Sequence, residues 1–298
     1  MDGILPLWKP KGFTSHDCVS KARGMMKTRK IGHTGTLDPD VEGVLPLCVG
    51  KATKIVPFLT DTEKVYEGTV TLGYSTDTED ASGETIESKA VDPSLTVKEI
   101  ENALLSFQGN ITQTPPMYSA VKVNGKKLYE YAREGIEVER PTRTVTIEEI
   151  SLLNKDLVID GDTVSFGIRV VCSKGTYIRT LCVDIGKALG YPAHMASLVR
   201  TKTADITAAD CYTFTQVQEA ADQDQRDSVL LPLARGLTHM PSWDISDEYV
   251  SWIQHGRVLE KPNDLDADTF NVKHGEDVLA IYQQHPSKPG LIKPVRVF

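Results

Sequence analysis

Two periods organise the apolar positions of the chain. In residues 64–74 (KVYEGTVTLGY) Val65, Glu67, Thr69 and Thr71 face one way and Tyr66, Gly68, Val70 and Leu72 the other, which predicts a half-buried strand. Residues 163–172 (TVSFGIRVVC) alternate in the same manner and predict a second strand. In 96–107 the period lengthens: Val97, Ile100, Ala103, Leu104 and Phe107 share one helical face, with Thr96 as N-cap and Glu99 completing a capping box. After the turn Ser173-Lys174-Gly175, residues Ile178, Leu181, Cys182, Ile185 and Leu189 recur at helical spacing, and Gly190 followed by Pro192 ends that helix. Arg179 then falls in a first helical turn, where the dipole disfavours a cation, so an anionic partner is expected to hold it. The acidic, Gly-containing stretch 75–93 predicts a surface loop, and 212–240 a polar helix followed by LLPLARGL. From about Pro241 onward, short strand-like runs are broken by Gly256, Pro262, Gly275, Pro286 and Pro289. Mixed α and β structure followed by a stretch of β character predicts a large domain and a small C-terminal barrel or sandwich.

Length and composition narrow this picture. A chain of 298 residues, 40% of them apolar, has room for about two domains and can bury full cores, which excludes a disordered chain. No run approaches the roughly 18 uncharged apolar residues of a membrane-spanning helix. The opening MDGILPLWKPKG lacks a basic region followed by an apolar run, so no secretory signal is expected and the protein reads as cytoplasmic, with no membrane partner. Cys18, Cys48, Cys172, Cys182 and Cys211 form no CxxC pair and predict reduced thiols rather than a disulfide frame or a zinc site.

The net charge of −8 argues, taken whole, against a nucleic-acid partner. Its distribution argues otherwise. Residues 1–60 carry a net +4 and 169–202 a net +5, whereas 77–101 carry −6. Screening confines such fields to about 8 Å, so local patches decide what a polyanion meets. The stretch 112–143 interleaves Lys122, Lys126, Lys127, Arg133, Arg140 and Arg143 with Tyr118, Tyr129 and Tyr131, between Pro115-Pro116 and Pro141. It reads either as a nucleic-acid-contacting loop or as a hairpin turning at Asn124-Gly125 with an amphipathic helix whose tyrosines pack.

The segment KIGHTGTLDPDVEGVLPLCVGKATK (30–54) sets Gly32, Gly35 and Gly43 around His33, Thr34, Thr36 and Asp38, a backbone that a substrate can approach closely. It is not a P-loop, because Gly50-Lys51 is followed by Ala52 and Gly43 stands too far before Gly50. Metal hydrolysis is disfavoured, since His33 and Asp38 have no second His, Asp or Glu cluster at ligand spacing. On spacing alone Asp38-Pro39 is first a turn former and only then a candidate acid.

GHTGTLDP, with GVL and GKATK after it, resembles the catalytic motif of the TruB family of tRNA pseudouridine synthases. Four further motifs stand in the family's order: GILPLWKPKGFTS (3–15), KVYEGTVTLG (64–73), PPMYSAVK (115–122) with Gly125 to Tyr129, and GTYIRTL (175–181). Two positions depart from the family pattern. Trp8 precedes Lys9 where Asp is common, and Ala204-Asp205-Ile206 follow the matching Leu198, Arg200 and Thr201.

The resemblance implies an α+β pseudouridine synthase core, a mixed and mainly antiparallel sheet with flanking helices, over 1–240. Residues 112–143 would be an RNA-gripping insertion and 241–298 a small all-β, PUA-like RNA-binding domain. The implied reaction moves the glycosidic bond of the T-loop uridine, position 55 of tRNA, from N1 to C5. It needs no cofactor and no metal, and the target base must flip out at a cost of roughly a few kcal/mol. Asp38 matches the essential aspartate, Arg179 the arginine paired with it, and Tyr66 the tyrosine that stacks on the flipped uracil. Tyr177 and Leu198 match pocket-lining positions, Lys9 a motif lysine near the site, and His33 a residue that helps open the RNA loop. Gly35 and Thr36 lie inside the catalytic motif. The implied partner is the T-arm of tRNA, met by a monomer. A guided synthase of a ribonucleoprotein shares these motifs, but the chain starts almost at its first motif, which favours a stand-alone enzyme. A non-catalytic RNA-binding or tRNA-folding protein would need the basic surfaces without Asp38, and an unrelated glycosidase would need two carboxylates flanking the bond.

Overall fold

The structure, a computed structural model, describes residues 1–263 and 265–298. The chain divides into two compact units, one of Met1–Thr62 with Lys202–Phe298 and one of Glu63–Thr201.

The first unit opens with β1 (Gly3–Lys9), α1 (Ser15–Met25), β2 (Ile31–His33), β3 (Glu42–Val49) and the short α2 (Val56–Thr60). β3 is buried from Gly43 to Val49, flanked by β1 and β2, both antiparallel to it. Burial on both faces explains why EGVLPLCV reads as a continuous apolar run rather than an alternation. Pro6 and Pro46 stand opposite each other in the β1–β3 register. Thr14 caps α1 in the reciprocal box with Asp17, satisfying donors that the first turn leaves open. Leu5, Leu7, Leu45 and Leu47 pack with Cys18, Val19 and Ala22 of α1 and with Met26 at its C-cap.

The second unit holds β4 (Lys64–Leu72), β5 (Tyr74–Thr76), β6 (Thr85–Ser88), α3 (Val97–Leu105), β7 (Gly109–Gln113), β8 (Lys122–Val123), β9 (Lys126–Lys127), α4 (Leu128–Arg133), β10 (Arg143–Leu152), β11 (Val158–Asp160), β12 (Thr163–Cys172), α5 (Ile178–Leu189) and most of β13 (Ala193–Thr203). Its sheet runs β13-β4-β12-β10-β7. β12 pairs antiparallel with β4 and with β10, and β10 with β7. The alternations at 64–74 and 163–172 thus belong to neighbouring strands, with Tyr66 opposite Val170. Thr96 and Glu99 cap α3, and Gly190 (φ 83°) ends α5 in the left-handed conformation.

The stretch 75–93 departs from the surface-loop expectation. β5 and β6 pair, and Ser75 and Thr76 are buried although β6 is exposed throughout. Backbone hydrogen bonds hold this pair, which a hydrophobic pattern does not register. In 112–143, β8 and β9 form the hairpin at Asn124-Gly125 and α4 follows. Its tyrosines meet cations: Lys126 lies over Tyr131, and Lys127 and Arg133 lie over Tyr129.

The first unit resumes with a hairpin from the end of β13 to β14 (Ile206–Thr207), pairing Lys202 with Thr207 and Thr203 with Ile206. Ala204 turns it at φ 52°, Ile206 is fully buried, and Arg235 faces the Asp205 carboxylate at 3.5 Å. The departure Ala204-Asp205-Ile206 is therefore a turn and a core anchor. After α6 (Phe214–Asp222) come β15 (Ser242–Asp244), α7 (Asp247–Gln254), β16 (Leu259–Glu260), β17 (Thr269–His274), β18 (Asp277–Gln284) and β19 (Leu291–Val297). They form a separate five-stranded sheet, β15-β17-β18-β19-β16, with its own core around Phe270, Val272, Tyr282 and Ile292. A strand-only reading of 241–298 passes over α7, whose Ile253 is buried in that core. The back of the sheet shares a second core with the N-terminal strands: Val278 and Ile281 pack with Ile4, Val44, Cys48 and Ile55.

Candidate active site

The matched residues fall into two groups, Lys9, His33, Gly35, Thr36 and Asp38 in the first unit and Tyr66, Tyr177, Arg179 and Leu198 in the second.

In the first group everything converges on the loop between β2 and β3. Lys9, at the end of β1, has no solvent exposure. Its Nζ donates to the carbonyl oxygens of Pro10 (3.1 Å), Pro39 (3.0 Å) and Val41 (2.5 Å). A buried ammonium is costly unless its donors are used, and three carbonyls match its three protons. Two of those carbonyls bracket the turn at Asp38, which also closes through Val41 N–H donating to Asp38 O (3.1 Å). Ser15 fixes the residue before Asp38: its Oγ accepts from Leu37 N–H (2.9 Å) and donates to Leu37 O (3.3 Å). Thr34 donates to Pro46 O of β3 (3.3 Å), and Gly35 N–H to His33 Nδ1 (3.4 Å). Gly35 at φ 145° and Gly43 at φ 124° let the chain turn off and onto the strands where a side chain would be strained. Asp38 and His33 remain partly exposed and Thr36 exposed. The loop offers a carboxylate whose backbone is held on both sides, the arrangement that preorganised chemistry requires.

In the second group β4 and β13 place Tyr66 and Leu198. Tyr66 and Gly68 share a face of β4. A Cβ on Gly68 would lie 2.9 Å from both Leu198 Cδ1 and Ser197 O, so only glycine admits the Ser197 carbonyl and the Leu198 side chain there. α5 places the other two. Tyr177 is its N-cap residue, and its side chain makes no cap. The Gln113 side chain holds it instead, accepting from Tyr177 N–H (3.0 Å) and donating to Tyr177 O (3.1 Å). The Arg143 guanidinium lies 4.5 Å above the Tyr177 ring. Arg179 is 5% exposed. Its Nη1 donates to Thr78 O (3.1 Å), its Nη2 to Tyr118 O (3.0 Å), and its Nε stands 4.0 Å from Asp80 Oδ2. Within this unit the cation in the first helical turn is thus held largely by backbone carbonyls, with Asp80 as the nearby carboxylate. Burial pushes the neighbouring Glu79 carboxyl above its ordinary value, against the hydrogen bond from Thr180 and the charges of Arg179 and Arg140.

Sequence reasoning missed Thr78, Asp80, Gln113 and Tyr118 as the residues that hold Arg179 and Tyr177. Tyr118 lay inside a quoted motif, and the acidic 77–101 charge excess covered Thr78 and Asp80 with the pattern of a solvated loop. Gln113 carries no local signal, because its partner is far along the chain. The five cysteines form no disulfide, and burial pushes the Cys18 and Cys172 thiols up to about 11. Among the described residues no cluster of His, Cys, Asp and Glu could hold a metal, and no helix is long and apolar enough to cross a membrane.

Residues 23–178 match the model of the TruB family pseudouridylate synthase N-terminal domain, and 179–238 that of the tRNA pseudouridylate synthase B C-terminal domain. The chain is 56% identical over 302 residues to the tRNA pseudouridine synthase B of Oceanobacillus iheyensis, covering 100% of this chain and 98% of that protein. It is 53% identical over 301 residues to that of Geobacillus thermodenitrificans, covering both fully. Among solved structures, a chain of a Cbf5-Nop10-Gar1 complex is similar at 26% identity and a TM-score of 0.75, over 99% of this chain and 84% of that one. A chain of an H/ACA RNP bound to a substrate RNA containing 2'-deoxyuridine shares the fold at 24% identity and a TM-score of 0.74.

Proposed function

The chain belongs to the TruB family of pseudouridylate synthases, and on that premise we propose that it isomerises a uridine of tRNA to pseudouridine, specifically the T-loop uridine at position 55 of tRNA. The observation that carries the reading is the Asp38 loop, a partly exposed carboxylate on a backbone braced by a buried lysine. Identity above 50% along the whole chain to synthases named for tRNA supports that substrate over a guided one.

The target uridine flips out of the T-loop. The unstacking costs roughly a few kcal/mol, offset by phosphate contacts to cationic patches and by stacking on aromatic rings. Asp38 starts glycosidic cleavage with its ionised carboxylate, and Arg179 keeps that carboxylate charged and aimed. Tyr66 stacks on the freed uracil, which turns and re-bonds through C5; the C1′–N1 bond is exchanged for C1′–C5, C5 gives up its proton and N1 takes one up. Tyr177 and Leu198 line the base pocket, His33 helps open the RNA loop, and Gly35 and Thr36 let the substrate approach the motif backbone. Lys9 acts through the loop it braces. No cofactor is consumed, since the product is an isomer of the substrate and the reaction needs neither a group donor nor a redox partner. The 112–143 insertion grips the T-arm, and 241–298 forms a PUA-like RNA-binding domain. The enzyme works as a cytoplasmic monomer.

The test is an unmodified tRNA transcript incubated with the protein and assayed for pseudouridine by position, with Asp38→Asn in parallel. Product at one T-loop position from the wild type, and a loss of about three orders of magnitude or more in Asp38→Asn, is the expected result. Binding without product in the wild type would leave an RNA-binding or tRNA-folding protein instead, and product from Asp38→Asn at the wild-type rate would remove Asp38 from the chemistry.

A further inference from the structure

Glu79 sits between two residues that meet Arg179. It has a left-handed backbone, φ 64°, a conformation disfavoured for a residue that carries a Cβ. A turn alone would be served with less strain by Gly or Asn. What glutamate adds is its carboxylate: Oε2 accepts from Thr180 Oγ1 at 2.7 Å. The backbone around it is bonded on both sides, with Glu79 N–H donating to Thr76 O (3.2 Å), Met195 N–H to Glu79 O (3.0 Å) and Ala81 N–H to Met195 O (3.1 Å). The result is a tripeptide set against one helical turn. Thr78 O takes Arg179 Nη1, Glu79 takes Thr180, and Asp80 Oδ2 stands 4.0 Å from Arg179 Nε.

We infer that Glu79 is a positioning residue for the reaction: by holding Thr180 it locks the Thr78–Asp80 tripeptide onto the start of α5 and so sets where the Arg179 guanidinium points. The inference rests on the reading of Arg179 as part of the catalytic set. Glu79 is faced by Arg179, Thr180, Cys182 and Asp184 of α5 and by Arg140. The two arginines favour its ionised form, while burial and Asp184 oppose it. Its carboxyl therefore takes up a proton at higher pH than an ordinary glutamate, and acid weakens the clamp earlier than it would titrate an exposed acid. The sign for stability is opposite. A raised carboxyl contributes stability that is present below its unfolded value of 4.5 and lost as pH rises through the folded value, so at neutral pH its charge is a burden on the fold.

The experiment measures single-turnover pseudouridine formation and tRNA binding from acid to neutral pH for the wild type, Glu79→Gln, Glu79→Gly, Thr180→Val, Thr180→Ser and Arg179→Lys. Glu79→Gly, which also relieves the backbone, and Glu79→Gln are expected to slow the rate about tenfold, with tRNA affinity and melting temperature at neutral pH unchanged or raised. Thr180→Val should slow it equally and Thr180→Ser should restore it. The part of the acid-side fall that belongs to Glu79 should vanish in Glu79→Gln. Wild-type rates and pH profiles in Glu79→Gly and Thr180→Val, with Arg179→Lys slow, would overturn the inference and leave Arg179 in place. A rate loss matched by lost tRNA binding would reduce Glu79 to a structural residue and overturn it too. A wild-type rate in Arg179→Lys would instead sink the reading of Arg179, and the inference with it. If Glu79→Gly does not fold, the Thr180→Val and Thr180→Ser pair decides.

Discussion

Around Asp38 a buried cation braces a loop, whereas around Arg179 a loop braces a buried cation. Lys9 donates to three carbonyls of the 10–41 region, two of which flank the turn that carries Asp38. Arg179 spends two of its donors on the carbonyls of Thr78 and Tyr118, so the charged group is itself the thing held. In the first region the positioning group and the presented group are different side chains. In the second they are the same one. Damage to the first region should therefore reach the rate only through the stability of the loop, and damage to the second should lower the rate as well as the stability.

The largest effect should come from Lys9→Met. The substitution keeps the volume but leaves the buried Val41 carbonyl without this donor, at about 1–3 kcal/mol, and removes the bonds to the partly buried Pro10 and Pro39 carbonyls, the latter still accepting from Gly12 N–H, so a loss of about 2–4 kcal/mol in urea unfolding is expected. A loss under about 1 kcal/mol would show that the loop does not depend on this brace. Next is Gly68→Ala in the second region, where the added methyl meets Ser197 O and Leu198 Cδ1 at 2.9 Å. Strain of about 2 kcal/mol should appear in thermal unfolding, with a slower reaction, because Tyr66 and Leu198 are pushed apart. Gln113→Leu removes both bonds to the Tyr177 backbone. It should cost about 2 kcal/mol and, on the proposed role of Tyr177 as a lining residue, raise the KM for tRNA more than it lowers kcat. The smallest is Ser15→Ala, with about 1 kcal/mol lost and a rate decrease visible only in single-turnover assays. A larger rate loss from Ser15→Ala than from Gln113→Leu would reverse the contrast between the two regions.

Much of the fold was legible because its signals are local. The strands at 64–72 and 163–172, the capped helix from Val97 and the glycine-ended helix from Ile178 all follow from period and cap chemistry within a dozen residues. The paired strands β5 and β6 were not legible, since polar residues joined by backbone bonds leave no apolar pattern. Helix α7 was hidden by the prolines and glycines around it. In the site, GHTGTLDP announces itself as a run of glycines and hydroxyls around one acid, whereas nothing local shows that the motif lysine, Lys9, meets Pro39 and Val41, 30 and 32 residues further on.

The residue types, their order and the side chains proposed to react, Asp38, Tyr66 and Arg179, are properties of the sequence, and so is the family to which they point. What holds those groups was decided only by tertiary structure. Gln113 meets Tyr177, Thr78 and Tyr118 meet Arg179, and Glu79 meets Thr180 across separations of 61 to 101 residues. A hydrogen bond specifies a donor and an acceptor but not their distance along the chain, so many amides, carbonyls and carboxylates in the sequence were equal candidates. The folding of β4, β12 and α5 into one unit selected among them.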